Sequence, residues 1–209
     1  MVKLTADLIS RSSSYLNPLR EREVDLRGNK IPVIENLGAT NDQFDSIDLS
    51  DNEIAKLEGF PQLNRLRTLL INNNRIAKIQ DGLGEQLPKL DTLILTNNKL
   101  QNLEDLDNLQ ELKAIQRLSL LDNPVSKKPH YRLYVIHKMP NVKQLDFRKV
   151  KKKEREASAK LYGAAEDRPN KKARTDTQED AEKTKLKEKI NNATTLEEIN
   201  AIASAQADQ

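Results

Sequence analysis

The chain has 209 residues, of which 36% are hydrophobic and only 3% aromatic, a length that suits one medium domain with extensions and a composition poor in the bulk that a compact sandwich or barrel uses for its core. It contains no cysteine, which excludes a disulfide framework or a thiolate metal site and agrees with a reducing intracellular compartment. The net charge of +3 hides three regimes: residues 1–147 hold 20 basic and 20 acidic groups, residues 148–174 hold 11 and 4, and residues 175–209 hold 4 and 8.

In chain order, residues 1–14 show no continuous apolar run of a secretory leader, and no later run has the length of a membrane span. Instead Leu4, Leu8, Ile9, Tyr15 and Leu16 fall on a plausible short helix with Thr5 as its N-cap, so residues 1–19 are expected to be a helical cap.

From residue 20 a pattern of the form L-x-x-L-x-L-x-x-N-x-L takes over. Phe44-Asp-Ser-Ile47-Asp-Leu49-Ser-Asp-Asn52-Glu-Ile54 fits it, as do the stretches from Leu66 to Ile76, Leu90 to Leu100 and Ile115 to Val125. A weaker first copy, Val24-Asp-Leu26-Arg-Gly-Asn29-Lys-Ile31, has Glu21 where the leading leucine belongs. Asn29, Asn52, Asn74, Asn98 and Asn123 follow one another at spacings of 23, 22, 24 and 25. Five copies in phase are the signature of a leucine-rich-repeat solenoid over residues 20–125.

Each part of the repeat has a physical task. The L-x-L pair alternates with period two, so it is a short strand with leucines inward. One such strand cannot bury its apolar face alone, whereas stacked coils make a parallel sheet over a continuous core. The asparagine stands where the chain leaves the strand, and its carboxamide can both donate to and accept from backbone groups stranded by the turn. On the connecting side, Leu57, Phe60, Leu63 and Leu66 are spaced by three, as are Leu100, Leu103, Leu106, Leu109, Leu112 and Ile115. That period suits 3₁₀ or irregular turns better than an α-helix. The fold class expected is therefore α/β: a short parallel sheet on the concave face, 3₁₀ or irregular turns on the convex face, and helical caps at both ends.

Tyr131, Leu133, Tyr134, Ile136, Met139, Val142 and Leu145 form a dense apolar group after the last repeat, and predict a C-terminal cap over 126–150 with the compact domain ending near 150. Residues 151–162 are expected to continue as a basic helix, 163–185 as a polar disordered linker with Pro169, and 186–209 as one or two short amphipathic helices.

No constellation for chemistry emerges. His130 and His137 have neither metal-ligand spacing nor a nucleophile nearby, Asp48, Asp51 and Asp122 fit no calcium-loop spacing, and the six glycines form no phosphate loop. The expectation is a binding protein without a catalytic site, metal or cofactor. Its outward strand positions include Asp25, Arg27, Asp48, Asn72 and Thr96, and the large aliphatics Leu70, Ile94 and Leu121 are expected to share one outward column. An aligned apolar stripe among polar columns is a partner-binding patch, and acidic groups toward the N-terminal coils suit a basic, partly apolar element such as a helix. The run Arg148 to Arg155, with Lys149, Lys151, Lys152 and Lys153, has two readings: a solvated helix end or nuclear-localisation signal, or contact with nucleic-acid phosphates. No stacking platform of aromatics accompanies these lysines, so base reading is not expected of them.

The segments Asp25-Leu-Arg-Gly28, Lys30-Ile-Pro-Val-Ile-Glu-Asn-Leu-Gly-Ala-Thr40, Asp42-Gln-Phe-Asp45, His130-Tyr-Arg-Leu-Tyr-Val-Ile136, Leu145-Asp-Phe147 and Asn192-Ala-Thr-Thr-Leu-Glu-Glu198 resemble the A-prime family of the U2 small nuclear ribonucleoprotein. The stretch 30–45 is not demanded by the repeat, which makes the resemblance specific. It implies a nuclear spliceosomal scaffold that clasps the RNA-recognition-motif domain of the B-double-prime protein on its concave face. U2 small nuclear RNA would be bound mainly through that partner, with other spliceosomal proteins as further partners and no membrane or small-molecule substrate. Lys149, Lys151, Lys152 and Lys153 would then lie near RNA phosphates. The alternatives within this architecture are adaptors that regulate phosphatases or bind histones.

Overall fold

In a computed structural model that describes residues 3–163, the repeats wind into a solenoid. Its main sheet has eight strands in the order β1 (Ser14–Leu16), β2 (Arg22–Asp25), β3 (Ser46–Asp48), β5 (Thr68–Leu70), β7 (Thr92–Ile94), β8 (Arg117–Ser119), β9 (Gln144–Leu145) and β10 (Arg148–Lys149). Pairing from β2 to β9 is parallel and in strict register, so that Val24, Ile47, Leu69, Leu93, Leu118 and Leu145 stand side by side. These residues, with Leu26, Leu49, Ile71, Leu95 and Leu120 from the second inward position, are buried in one continuous core.

The asparagines tie coil to coil. Asn74, 5% exposed, donates through Nδ2 to the carbonyls of Leu49, Ile71 and Asn72 at 2.9–3.3 Å, and its Oδ1 accepts the Ile54 amide at 3.0 Å. Asn52, Asn98 and Asn123 repeat the arrangement, each reaching a carbonyl of the coil before it: Leu26, Ile71 and Leu95 in turn. Asn29 has no coil before it; it is half-buried and donates to Arg27 O within its own turn.

Beside this buried row runs an exposed one. Asp51, Asn73, Asn97 and Asp122 all adopt left-handed backbone, where Asn and Asp are the non-glycine residues best tolerated. Asn73 Nδ2 donates to Asp51 Oδ1 at 2.7 Å and Asn97 Nδ2 to Asn73 Oδ1 at 2.9 Å.

The convex side holds 3₁₀ turns at Leu37–Thr40, Glu104–Glu111 and Pro124–Lys127, a single α-turn α2 at Leu83–Gln86, and irregular chain from Gly59 to Leu66. It also holds a pair of strands the repeat does not suggest, β4 (Lys56–Leu57) and β6 (Lys78–Ile79), which pair in parallel. They form because consecutive coils run alongside each other here in extended conformation, leaving backbone groups that only each other can satisfy.

Both caps differ from expectation. At the N-terminus α1 is short, Ala6–Arg11, with the Leu8 amide donating to Thr5 Oγ1. Tyr15 and Leu16 do not extend it. They lie in β1, antiparallel to β2, covering the open edge that the first parallel strand would otherwise present. At the C-terminus the cap helix α3 (Tyr131–Lys138) is followed by the antiparallel strand β10, which covers the last parallel edge in the same way. Nor does the compact unit end near 150. It runs to Gly163, because α4 (Lys152–Ser158) and a π-helical turn at Ala159–Gly163 pack back on α3. The linker and tail helices expected beyond Gly163 lie outside the described residues.

Asn74→Ala should strand the buried Ile54 amide and leave the carbonyls of Leu49, Ile71 and Asn72 with one donor each, from Asn52 Nδ2, Asn98 Nδ2 and the Asp51 amide. It should lower the unfolding free energy by about 3 kcal/mol, the upper end of the cost of one buried unsatisfied group. Its neighbour Asn73 should be probed with glycine, because alanine would add left-handed strain of its own. In chemical denaturation Asn73→Gly should stay within about 1 kcal/mol of wild type; equal losses for the two variants would refute the ladder's role.

Candidate protein and RNA interface

The strand face presents three outward columns whose membership follows from the register. The first holds Glu23, Ser46, Thr68, Thr92, Arg117 and Gln144. The second holds Asp25, Asp48, Leu70, Ile94 and Ser119. Backbone bonds beyond the strand ends, such as Asn73 N to Thr96 O and Asn97 N to Leu121 O, define the third: Arg27, Ser50, Asn72, Thr96 and Leu121.

This corrects the expected aliphatic stripe. Leu70 and Ile94 are direct neighbours, but Ile94 pairs with Ser119, and Leu121 belongs one column over beside Thr96. Residues 119 and 121 both face outward, so an offset of two leaves the inward–outward pattern unchanged and is invisible to it.

A fourth apolar residue, overlooked as a site residue in the sequence, joins the patch. Asp146 and Phe147 form the two-residue hairpin between β9 and β10, both with positive φ, and Phe147 is 62% exposed. Asn-Gly or Asp-Gly is the usual choice there, so a phenylalanine held in left-handed backbone is strained. Asp146 fixes the turn by accepting from the Leu120 amide at 2.8 Å and from the hydroxyl of buried Tyr131 at 3.1 Å, and burial beside that carboxylate pushes the Tyr131 phenol far up. Phe147 lines a shallow notch of about 150 Å³ with Thr92, Ile94, Arg117, Leu118, Ser119 and Gln144. The only signal in the sequence was a bulky residue at a turn position that favours glycine.

Toward the N-terminal coils the face turns acidic and polar. Glu23 accepts from Tyr15 Oη at 2.8 Å and Asn17 Nδ2 at 3.0 Å. Arg27 donates to both carboxylate oxygens of Asp25, at 2.9 and 2.6 Å, and reaches Asp48 at 3.5 Å. The guanidinium holds the Asp25 carboxyl below its usual range, and the Arg27 pKa is raised in return. Ser46 Oγ, Ser50 Oγ and Asn72 Oδ1 are buried among these columns without a protein hydrogen-bond partner. Thr96 Oγ1 is 3.0 Å from Ser119 Oγ.

The basic run stands at the other end. Lys149 pairs with Gln144 across the hairpin, so its side chain shares the strand face, while exposed Lys151, Lys152 and Lys153 open α4. Arg132 anchors this helix, its Nε donating to Glu154 Oε1 at 2.7 Å. Arg155 donates to the carbonyls of Pro140 and Val142, and Ser158 Oγ to that of Leu133, all at 2.7 Å. The Tyr162 ring stacks on His137 with centroids 5.5 Å apart and meets Tyr134 edge-on at the same distance, which gives His137 a packing role. His130, in left-handed backbone, precedes the first turn of α3. Among the described residues no group of three or more His, Cys, Asp or Glu could hold a metal ion, and no helix is long and apolar enough to cross a membrane.

A family model described as leucine-rich repeat matches residues 1–175. The U2 small nuclear ribonucleoprotein A' of Arabidopsis thaliana is 60% identical over 166 residues, covering 79% of this chain and 67% of its own length. The Homo sapiens protein of that name is 59% identical over 162 residues, covering 78% and 64%. The chain belongs to the U2 small nuclear ribonucleoprotein A' family. It spans about two thirds of the length of these two relatives, whereas a Caenorhabditis elegans probable member is 40% identical over 231 residues, with 99% of this chain and 90% of its own covered. Among solved structures, the crystal structure of the Drosophila melanogaster SNF/U2A' complex contains a chain 52% identical to this one, superposing with a TM-score of 0.76 over 86% of this chain and 99% of that one.

The anchoring of α4 carries a pH dependence with a definite sign. The Arg132 hydrogen bond holds the Glu154 carboxyl below its usual range. A depressed carboxylate stabilises the fold above its unfolded-state value, about 4.3, and loses that contribution as pH falls through the folded-state value. The unfolding free energies of wild type and Glu154→Gln should therefore differ most near neutrality and converge in acid below about pH 4. A constant gap across that range would show that the ion pair contributes nothing.

Proposed function

We propose that the chain is a non-catalytic scaffold of the U2 small nuclear ribonucleoprotein. It holds the RNA-recognition-motif domain of a B-double-prime-type protein on its strand face and reinforces that partner's grip on a stem-loop of U2 small nuclear RNA, acting in pre-mRNA splicing in the nucleus. The observation that carries the reading is the strand face itself: Leu70 and Ile94 at its centre, Leu121 and Phe147 toward the C-terminal side, and Asp25, Asp48 and Glu23 toward the N-terminal side. An amphipathic helix with a basic end fits such a surface, apolar ridge on the aliphatic centre and cations over the carboxylates. Asn72 and Thr96 supply polar contacts alongside. The likeness to a chain crystallised in a complex with SNF supports a protein partner for this fold.

Lys149, Lys151, Lys152 and Lys153 are the proposed phosphate contacts. Three of them open α4, at the helix end where the backbone dipole disfavours positive charge by about 0.3–1 kcal/mol each. Their placement is costly to the helix alone and is compensated when a polyanion lies nearby.

Leu70→Arg/Ile94→Arg should abolish co-purification with the recognition-motif partner, and Phe147→Ala should weaken it by about ten-fold, as expected for an exposed aromatic anchor. Full capture by the double variant would remove the strand face from the mechanism. Replacing Lys151, Lys152 and Lys153 by Ala should weaken the ternary complex with U2 stem-loop RNA and flatten its salt dependence by about one unit of slope per lysine. An unchanged slope would return the run to a localisation signal.

A further inference from the structure

A second basic surface, outside the lysine run, opens along the rim where the strands begin. Arg67, Asp91, Gln116 and Lys143 immediately precede β5, β7, β8 and β9, and their backbones are bonded in series: Asp91 N to Arg67 O, Gln116 N to Asp91 O, and Lys143 N to Gln116 O, at 2.8–2.9 Å. Residues on neighbouring strands of such a row are about 4.8 Å apart. Together with Pro88, Lys89, Lys113, Ala114 and Asn141, they line an open groove of about 480 Å³.

The charge in this groove is one-sided. Its single acid, Asp91, is already satisfied by Arg117 at 2.8 Å and by Thr92 Oγ1. Among the described residues no carboxylate oxygen lies within 4.0 Å of the cationic nitrogens of Arg67, Lys89, Lys113 or Lys143, and all four side chains are exposed. Arg65 and Arg75 nearby are ion-paired, with Asp45 at 2.9 Å and Glu53 at 3.3 Å. The groove instead gathers four cations without an ion-pair partner around one engaged acid, with Lys113 Nζ donating to Gln110 O at 2.9 Å.

We propose that this groove is a binding site for the phosphodiester backbone of RNA, continuous with the lysine run but separate from it. Continuity comes from the hairpin: Val150 N donates to Lys143 O at 2.8 Å, which brings the backbone of the lysine run beside the Lys143 end of the groove. A phosphate chain entering at Lys151 would pass Lys143 and then meet Lys113, Lys89 and Arg67 in turn. The groove offers no large apolar or aromatic side chain, so an acidic protein segment would find charge but no anchor, whereas a nucleic-acid backbone needs only charge and counterion release. Recognition there is independent of sequence. The choice of RNA as the polyanion rests on the function proposed above; the groove itself does not.

The test uses the full chain and a short fluorescein-labelled RNA hairpin of arbitrary sequence, with anisotropy followed between about 50 and 200 mM salt. Lys89→Ala/Lys113→Ala/Lys143→Ala should reduce the steepness of log affinity against log salt by about three, one unit per lysine, with the thermal midpoint unchanged because all three side chains are exposed. The Lys151/Lys152/Lys153 alanine variant should show its own reduction, and the two should add. A groove variant with wild-type slope beside a flattened run variant would overturn the groove while leaving the lysine run in place. The reverse pattern would support the groove and remove the run. Failure of wild type to bind the hairpin at the lowest salt would overturn the groove as an RNA site. So would loss of a labelled glutamate-rich peptide, but not of RNA, in the groove variant.

Discussion

Every coil of this solenoid must turn out of a strand while remaining packed between two others, and the turn leaves buried carbonyls and amides that neither water nor the sheet can reach. One carboxamide per coil resolves this, with Nδ2 serving carbonyls of its own and the preceding coil and Oδ1 accepting an amide of that preceding coil. Because each asparagine reads both coils, it fixes the distance and the register between them. The inward leucines then fall side by side, and the outward residues are sorted into columns that no single coil defines. The left-handed row Asp51, Asn73, Asn97 and Asp122 is the outer consequence of the same turn.

The ends of the array obey a related constraint. A parallel sheet stops with a raw edge on each side, and both edges here are closed by a short antiparallel strand, β1 at one end and β10 at the other. Closing the C-terminal edge also builds part of the proposed site. The hairpin that returns β10 against β9 carries Phe147 outward beside Ile94, and the chain it delivers places Lys149 on the strand face before α4 locks onto α3 through Arg132 and Glu154. Cap and proposed interface share the same piece of structure.

Charge is graded along the array. On the strand face, Asp25 and Asp48 stand on the first coils, Leu70 and Ile94 in the middle, and Phe147 and Lys149 at the last hairpin. Under the proposed function this order would orient a partner as well as attract it, since a ligand docked backwards would set like charges together.

The coils, their phase and the 3₁₀ run at Glu104–Glu111 were legible in the sequence, because each depends on residues close together in the chain. The antiparallel strands of the caps and the convex pair β4–β6 were not, since they arise from backbone groups left over once the coils have stacked. The candidate site divides in the same way. Leu70 and Ile94 could be paired from the repeat alone, but Leu121 was assigned to the wrong column, Phe147 was passed over, and the basic row of Arg67, Lys89, Lys113 and Lys143 was not seen. Neighbours on the surface of a solenoid are about a full repeat apart in the chain. Counting back from Asn98 and Asn123 puts Leu121 beside Thr96, as the cross-strand register shows, whereas inward–outward alternation alone does not separate the two outward columns. Sequence therefore determined that this protein is a stack of coils in a fixed phase; tertiary structure decided which side chains meet on its faces.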